Sequence, residues 1–206
     1  MVRKLLPTLL ALASLSLAAC GDYGDVEQGR VIGFNPDSKI VTILKDSSLV
    51  SNKPVYDVLP PHEFKLPDDP AEIGALPTPG YRVKFDADKK IITMFNPDTK
   101  QLDQIPFELL KRVDNADRRL QTPELFADGK FKDFPVVDEA NKTMQMYSLR
   151  QRLYAEIKLS PEDFARFKPT EWNAGDEVRI YFKPKQDPTK ALRFMNITKT
   201  DITRRK

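Results

Sequence analysis

Apolar residues along this chain fall mostly at alternate positions in short runs, and clusters of Asn, Asp, Pro, Ser and Gly separate the runs. That period belongs to strands burying one face. Arg30 to Phe34 and Ile40 to Leu44 flank the turn Asn35-Pro36-Asp37-Ser38, so 30–44 reads as a β-hairpin. Val55 to Leu59 reads as a third strand. A connection from Pro60 to Pro79 with six prolines follows. Tyr81 to Phe85 then alternates apolar and basic residues, and Ile91 to Phe95 returns the chain after a polar turn.

The order returns after residue 127. Lys130 to Phe134, Thr143 to Leu149 and Arg152 to Leu159 read as strands, the last with Leu153, Ala155, Ile157 and Leu159 on one face. Ser160-Pro161-Glu162-Asp163-Phe164 opens a short helix: Ser160 can cap it, Pro161 suits its first position, and the acids complement its positive end. Gly175 to Phe182 and Ala191 to Ile197 are the closing pair of strands. An offset of about one hundred residues matches Gly29 with Gly129, Phe34 with Phe134, Leu59 with Leu159, Pro61 with Pro161, Phe64 with Phe164 and Asn96 with Asn196. A five-residue shift brings Gly80 onto Gly175 and Val83 onto Val178. The shared order of elements predicts an internal duplication. The expected fold is mainly β: two tandem small five-stranded barrels, OB-like or alternatively SH3-like, with short helices. The expected units are residues 29–106 and 127–203, packed on each other because each alone is small for a core. Residues 107–126 connect them. There Phe107, Leu110, Val113 and Leu120 suit a helix, while Ile105, Phe107 and Leu109 suit a strand.

The N-terminus departs from this pattern. Arg3 and Lys4 precede a 13-residue stretch, Leu5 to Leu17, that is almost entirely apolar or small, then Ala18-Ala19-Cys20. A basic start, a short apolar run and small residues form a secretory signal peptide over 1–19, too short to span a bilayer. Leu17-Ala18-Ala19-Cys20-Gly21 resembles the lipobox of bacterial lipoproteins. That resemblance implies acylation of Cys20 and cleavage before it. Three acyl chains hold a protein on a membrane durably where one does not. Gly21, rather than an aspartate, after the cysteine favours the outer membrane over the inner one. Residues 20–28 are expected to be the lipidated cysteine and its polar tether.

Composition narrows the chemistry. The chain has 206 residues, 31% charged and 40% hydrophobic, which excludes a disordered tail and a polytopic membrane protein. Net charge is +3, and Arg3 and Lys4 leave with the signal peptide. The working chain therefore lacks the basic excess of a nucleic-acid binder. One cysteine excludes an intramolecular disulfide, and one histidine excludes a multi-histidine metal site. No Cys-x-x-Cys-His, GxGxxG or GxxxxGK[ST] run occurs. A histidine-based enzyme would have to use His62, which lies in the proline-rich connection expected to be a surface loop. Asp68-Asp69 and Glu162-Asp163 read as a solvated loop and a helix start. No catalytic residue, metal or cofactor is therefore expected.

Phe164, Phe167 and Trp172 cluster with Arg166 and Lys168. The phenylalanines suit the underside of a barrel. Trp172, Arg166 and Lys168 are candidates for contact with a ligand or partner. The basic tail Lys199 to Lys206 reads as a solubilising terminus. The Leu-Ala-Ala-Cys start, the chain length and the Phe-Asn-Pro-Asp turns at 34–37 and 95–98 resemble a family of small uncharacterised lipoproteins of sulfate-reducing bacteria. The expected function is a non-enzymatic binding or assembly factor, anchored through its lipid at the periplasmic side of the envelope and meeting an envelope protein. The alternative is a module binding a saccharide or peptidoglycan fragment through the aromatic cluster.

Overall fold

The first hairpin forms where alternation predicts it, between β1 (Asp25–Asn35) and β2 (Ile40–Lys45). Its turn is closed by the Asn35 side chain, whose Oδ1 accepts from the backbone N–H groups of Asp37 and Ser38. The computed structural model describes residues 23–48, 50 and 53–200. The expected signal peptide over 1–19, Cys20 and the tail beyond Thr200 lie outside the described residues. β1 starts earlier than expected. The polar stretch 22–28, read as a tether, is strand from Asp25 onward, because Asp25 to Arg30 pair with the far-off Phe182 to Glu177.

A bulge between Val31 and Gly33 interrupts the β1–β2 register. It lets neighbours Val31 and Ile32 both be buried, Val31 inside the barrel described below and Ile32 in a cluster with Leu44, Tyr56, Val83 and Phe95. The third strand is not Val55–Leu59. It is β3 (His62–Lys65), which pairs with β2 from Ile40↔Lys65 to Ile43↔His62. Four residues, three of them polar, leave too little hydrophobic signal to be read as a strand.

Then come β4 (Arg82–Asp86), β5 (Ile91–Asn96), β6 (Gln101–Pro106) and β7 (Glu108–Val113). The stretch 107–126 thus begins as strand, and the helical alternative falls. The pairs β8 (Phe126–Ala127) with β9 (Lys130–Phe131), β10 (Val136–Asp138) with β11 (Thr143–Ser148), and β11 with β12 (Leu153–Lys158) are antiparallel. The short helix Pro161–Ala165 follows, with Ser160 Oγ accepting from the Asp163 N–H at 3.0 Å. β13 (Glu177–Lys183) and β14 (Asp187–Asn196) end the described fold.

The molecule is mainly β, but its strands are not partitioned in tandem. β1, β13, β14, β3 and β2 are hydrogen-bonded in that order as a closed barrel, completed by one parallel contact between Lys65 and Lys190. Inside lie Val31, Val41, Ile43, Phe64, Val178, Ile180, Ala191 and Phe194. The hairpin β13–β14, expected to close a second barrel, completes the circuit of β1–β3 instead. The hairpin β4–β5, expected to close the first, sits in the three-stranded sheet β4-β5-β6. That sheet shares a core with the four-stranded sheet β10-β11-β12-β7: Phe85, Ile92, Met94 and Ile105 pack with Met144, Met146, Ala155 and Ile157. The local pattern of a hairpin is the same whichever sheet receives it, so sequence could not choose between these arrangements.

The two hairpins cross where they begin. Gly80 and Gly175 are adjacent: a Cβ on Gly175 would fall 2.9 Å from the Gly80 nitrogen and 1.7 Å from the Val31 carbonyl oxygen. That oxygen accepts from the Gly80 N–H at 3.2 Å, and the Asp176 oxygen accepts from the Val31 N–H at 2.9 Å. The buried Asp176 carboxylate ties the crossing together, accepting from the Thr78 N–H and Asn196 Nδ2, each at 2.8 Å, with Lys199 Nζ at 3.1 Å. The hairpins also end alike. Asn96 and Asn196 each accept, through Oδ1, from a backbone N–H just beyond the strand.

Candidate functional site

The three aromatic residues singled out in the sequence come together, but as core, while Arg166 and Lys168 stay exposed. Trp172 is fully buried, with the rings of Phe167 and Phe164 at 5.2 and 6.2 Å. Its ring faces no solvent, so it cannot serve as a stacking platform. Arg166 is held by ion pairs to Asp103 and Asp163. The Lys168 backbone N–H donates to Glu171 Oε2 at 2.7 Å, opening the 3-10 turn that carries Trp172 inward. His62 is also not in a loop. It heads β3, with Nδ1 2.7 Å from Oε1 of the buried Glu27, whose other oxygen is 3.5 Å from Lys45 Nζ. Among the described residues no group of three or more His, Cys, Asp or Glu is placed to hold a metal ion.

An open cavity lies elsewhere, at the end of β7. There the chain turns through Asn115 in the left-handed region, φ 55°, and Ala116 returns to the strand system by donating its N–H to the Arg152 oxygen at 2.7 Å. Asp117 then caps a 3-10 turn, Arg118–Leu120, accepting from the Arg119 N–H at 3.0 Å. Across from this turn lies the β11–β12 connection, with Leu149 and Arg152. Between them is an open cavity of about 450 Å³ lined by Ala116, Asp117, Arg118, Arg119, Tyr147, Leu149 and Arg152.

Three guanidinium groups share this cavity with one carboxylate. Asp117 is engaged by Arg119 and by Arg152, the latter at 3.1 Å. Hydrogen bonds from Arg119, and then the charges of Arg119 and Arg152, hold the Asp117 carboxyl well below the usual carboxylate range. It stays ionised across the mildly acidic range, and two of the three arginines share its single charge. Arg118 has no carboxylate partner among the described residues. Its guanidinium lies 4.4 Å from the centre of the Phe131 ring. Phe131 is fixed from behind by Phe126, Phe134 and Tyr147, each with ring centres about 5.6 to 5.7 Å away. An aromatic base thus holds Arg118 in place without neutralising it.

The walls are apolar. Tyr147 donates its hydroxyl to the Ala116 oxygen at 3.4 Å and so turns its ring toward the cavity floor. Leu149 on the rim is 61% exposed, and Leu120, next in the turn, is 69% exposed. Guanidinium forks match planar anions such as carboxylate and phosphate. Together with an apolar wall they suit an anionic group carried on an apolar body. Sequence reasoning passed over this site because Asp117-Arg118-Arg119-Leu120 reads as an ordinary polar linker. The signal available was the run of two arginines, Arg118 and Arg119, and a further arginine at 152, but only folding brings these three to one cavity.

No curated protein and no solved structure matches the chain. Over residues 22–205, which include every strand of the barrel and both walls of the arginine cavity, the chain matches the model of the family described as "Domain of unknown function (DUF4881)", and it belongs to that family.

Proposed function

We propose that the protein is a lipid-anchored, non-enzymatic binding or assembly factor of the cell envelope, and that the arginine cavity is where it grips an anionic group of its partner. The observation supporting the binding role is the surplus of guanidinium charge in an open, apolar-walled cavity, with Arg118 presented and unpaired. The anchor rests on the sequence around Cys20, and Gly21 favours the outer membrane. Among the described residues no helix is long and apolar enough to cross a membrane. The circuit β1-β2-β3-β14-β13, with its one parallel contact between the third and last strands, supports an OB-like reading in which the connection after β3 hosts the second lobe. The matched hairpins that begin at Gly80 and Gly175 support a duplication whose copies have exchanged these hairpins.

Two tests address the reading. Replacing Leu149 by a photo-crosslinking amino acid in cells should capture the partner on irradiation. Adding Arg118→Glu should reduce that crosslink about tenfold, since a charge-assisted hydrogen bond is lost and a repulsion added. A crosslink insensitive to Arg118→Glu, with the protein at normal abundance, removes the cavity from the mechanism. The anchor is tested by Cys20→Ala, which should leave the protein uncleaved or free of its membrane attachment. Normal processing and lipid labelling of that variant would exclude Cys20 as the acyl site.

A further inference from the structure

Resting on the acylation of Cys20 proposed above, we infer that the end of the barrel around Asp25 is a membrane-contact surface, lying on anionic lipid headgroups and holding the molecule in one orientation. Only Gly21 and Asp22 separate Cys20 from Tyr23. Three residue steps span about 11 Å at most, so an acylated Cys20 keeps this end at the headgroups.

The surface there fits that neighbour. Tyr23 is 87% exposed and Val26 65% exposed, two of the three most exposed large hydrophobic residues among those described. Tyrosine is at home at a lipid–water boundary, with its ring among the headgroups and its hydroxyl in water. The chain leaves the barrel there in a set direction. Gly24 lies under the Tyr181 ring and the Phe182 oxygen, so closely that a Cβ would come within 2.4 Å of the ring. Asp25 pairs with Phe182; β13 then ends at Lys183, and the turn 184–186 into β14 carries Lys185. Neither lysine forms an ion pair among the described residues. Asp187 in the same hairpin accepts from the N–H and hydroxyl of Thr189, both at 2.8 Å. Free lysines beside exposed apolar side chains complement an anionic leaflet.

The orientation has a consequence for the cavity. The lobe carrying it touches the barrel at the other end of β13, where Arg150 lies 3.8 Å from Glu177. At the rise of a strand, that is about 17 Å along β13 from Phe182. The arginine cavity is thereby held off the membrane, where a partner can reach it.

Two measurements test the surface. In the acylated chain on vesicles containing brominated lipid, tryptophan introduced by Tyr23→Trp should be quenched, while tryptophan introduced by Leu120→Trp should not. Trp172 is buried and supplies a constant background. Equal quenching at both positions, or quenching at 120 alone, overturns the orientation. The second measurement uses the chain from Gly21 onward, which contains every element described and needs no acyl group. Its affinity for vesicles containing phosphatidylglycerol should fall about fivefold for each of Lys183→Gln and Lys185→Gln, and should fall again with Tyr23→Ser. Unchanged affinity in all three variants overturns the proposed contact. If Cys20 carries no acyl group, the anchor fails and the tether argument falls with it, while the vesicle measurement still decides the surface on its own.

Discussion

Gly175→Ala should be among the most damaging single-methyl additions possible in this protein. The new Cβ would sit 1.7 Å from the Val31 carbonyl oxygen, and that oxygen belongs to backbone, not to the mobile end of a side chain. Relief requires β1 and the strand entry at Asp176 to separate. That would break the Asp176 oxygen's bond from the Val31 N–H and loosen the carboxylate that joins Thr78, Asn196 and Lys199. A loss of about 4 kcal/mol or more is expected, a large share of a domain's whole stability. The control is Gly74→Ala, whose Cβ would meet nothing closer than 3.5 Å and should cost about 0.5 kcal/mol at most. Urea denaturation of both variants checks the claim. Similar midpoints would mean that the two hairpins do not cross at this glycine.

Val178→Asp and Arg179→Asp, one residue apart, should differ as widely. Val178 is fully buried among the barrel side chains, with Val31, Ile43 and Ile180 in the same cluster. A carboxylate there has no partner and costs several kcal/mol, whether it stays ionised or takes up a proton. Arg179 points outward and gives Gln28 Oε1 a hydrogen bond at 2.8 Å. Its replacement should cost about half a kcal/mol, as exposed changes usually do. Thermal melts of the pair decide the inward and outward faces of β13. Equal damage would shift its register by one residue.

Much of this fold was legible in the chain. The β1–β2 hairpin, β4, β5, β11, β12 and the capped helix at Pro161 lie close to where alternation, turn residues and a proline after a serine place them. Leu153, Ala155, Ile157 and Leu159 are all buried, as one face of a strand should be. The misses have physical causes. β3 is short and mostly polar, so only its pairing with β2 makes it a strand. Asp25 to Gln28 look like a tether until β13 supplies partners for their backbone. Trp172 looks available for a ligand because its own neighbours in sequence are polar, yet Phe164 and Phe167 enclose it.

The candidate site was less legible than the fold. Arg118, Arg119 and Arg152 come from two loops more than thirty residues apart. Their meaning depends on which of them Asp117 neutralises. Only the folded geometry shows Arg118 left over, seated on Phe131.

By itself the sequence determined that the chain is built of strands, where most of them run, and, in a regularly alternating strand such as β12, which side chains face inward, because side-chain alternation is a local property of extended backbone. It also carries the run Leu17-Ala18-Ala19-Cys20-Gly21, on which the proposed anchor rests. Tertiary structure alone decided that β13 and β14 join β1, β2 and β3, that β4 and β5 join the other lobe, and that three arginines meet in one cavity. Backbone hydrogen bonds are the same for any pair of strands. The choice of partner is therefore made by long-range packing and by close approaches such as that of Gly80 and Gly175, which leave little trace in the local pattern.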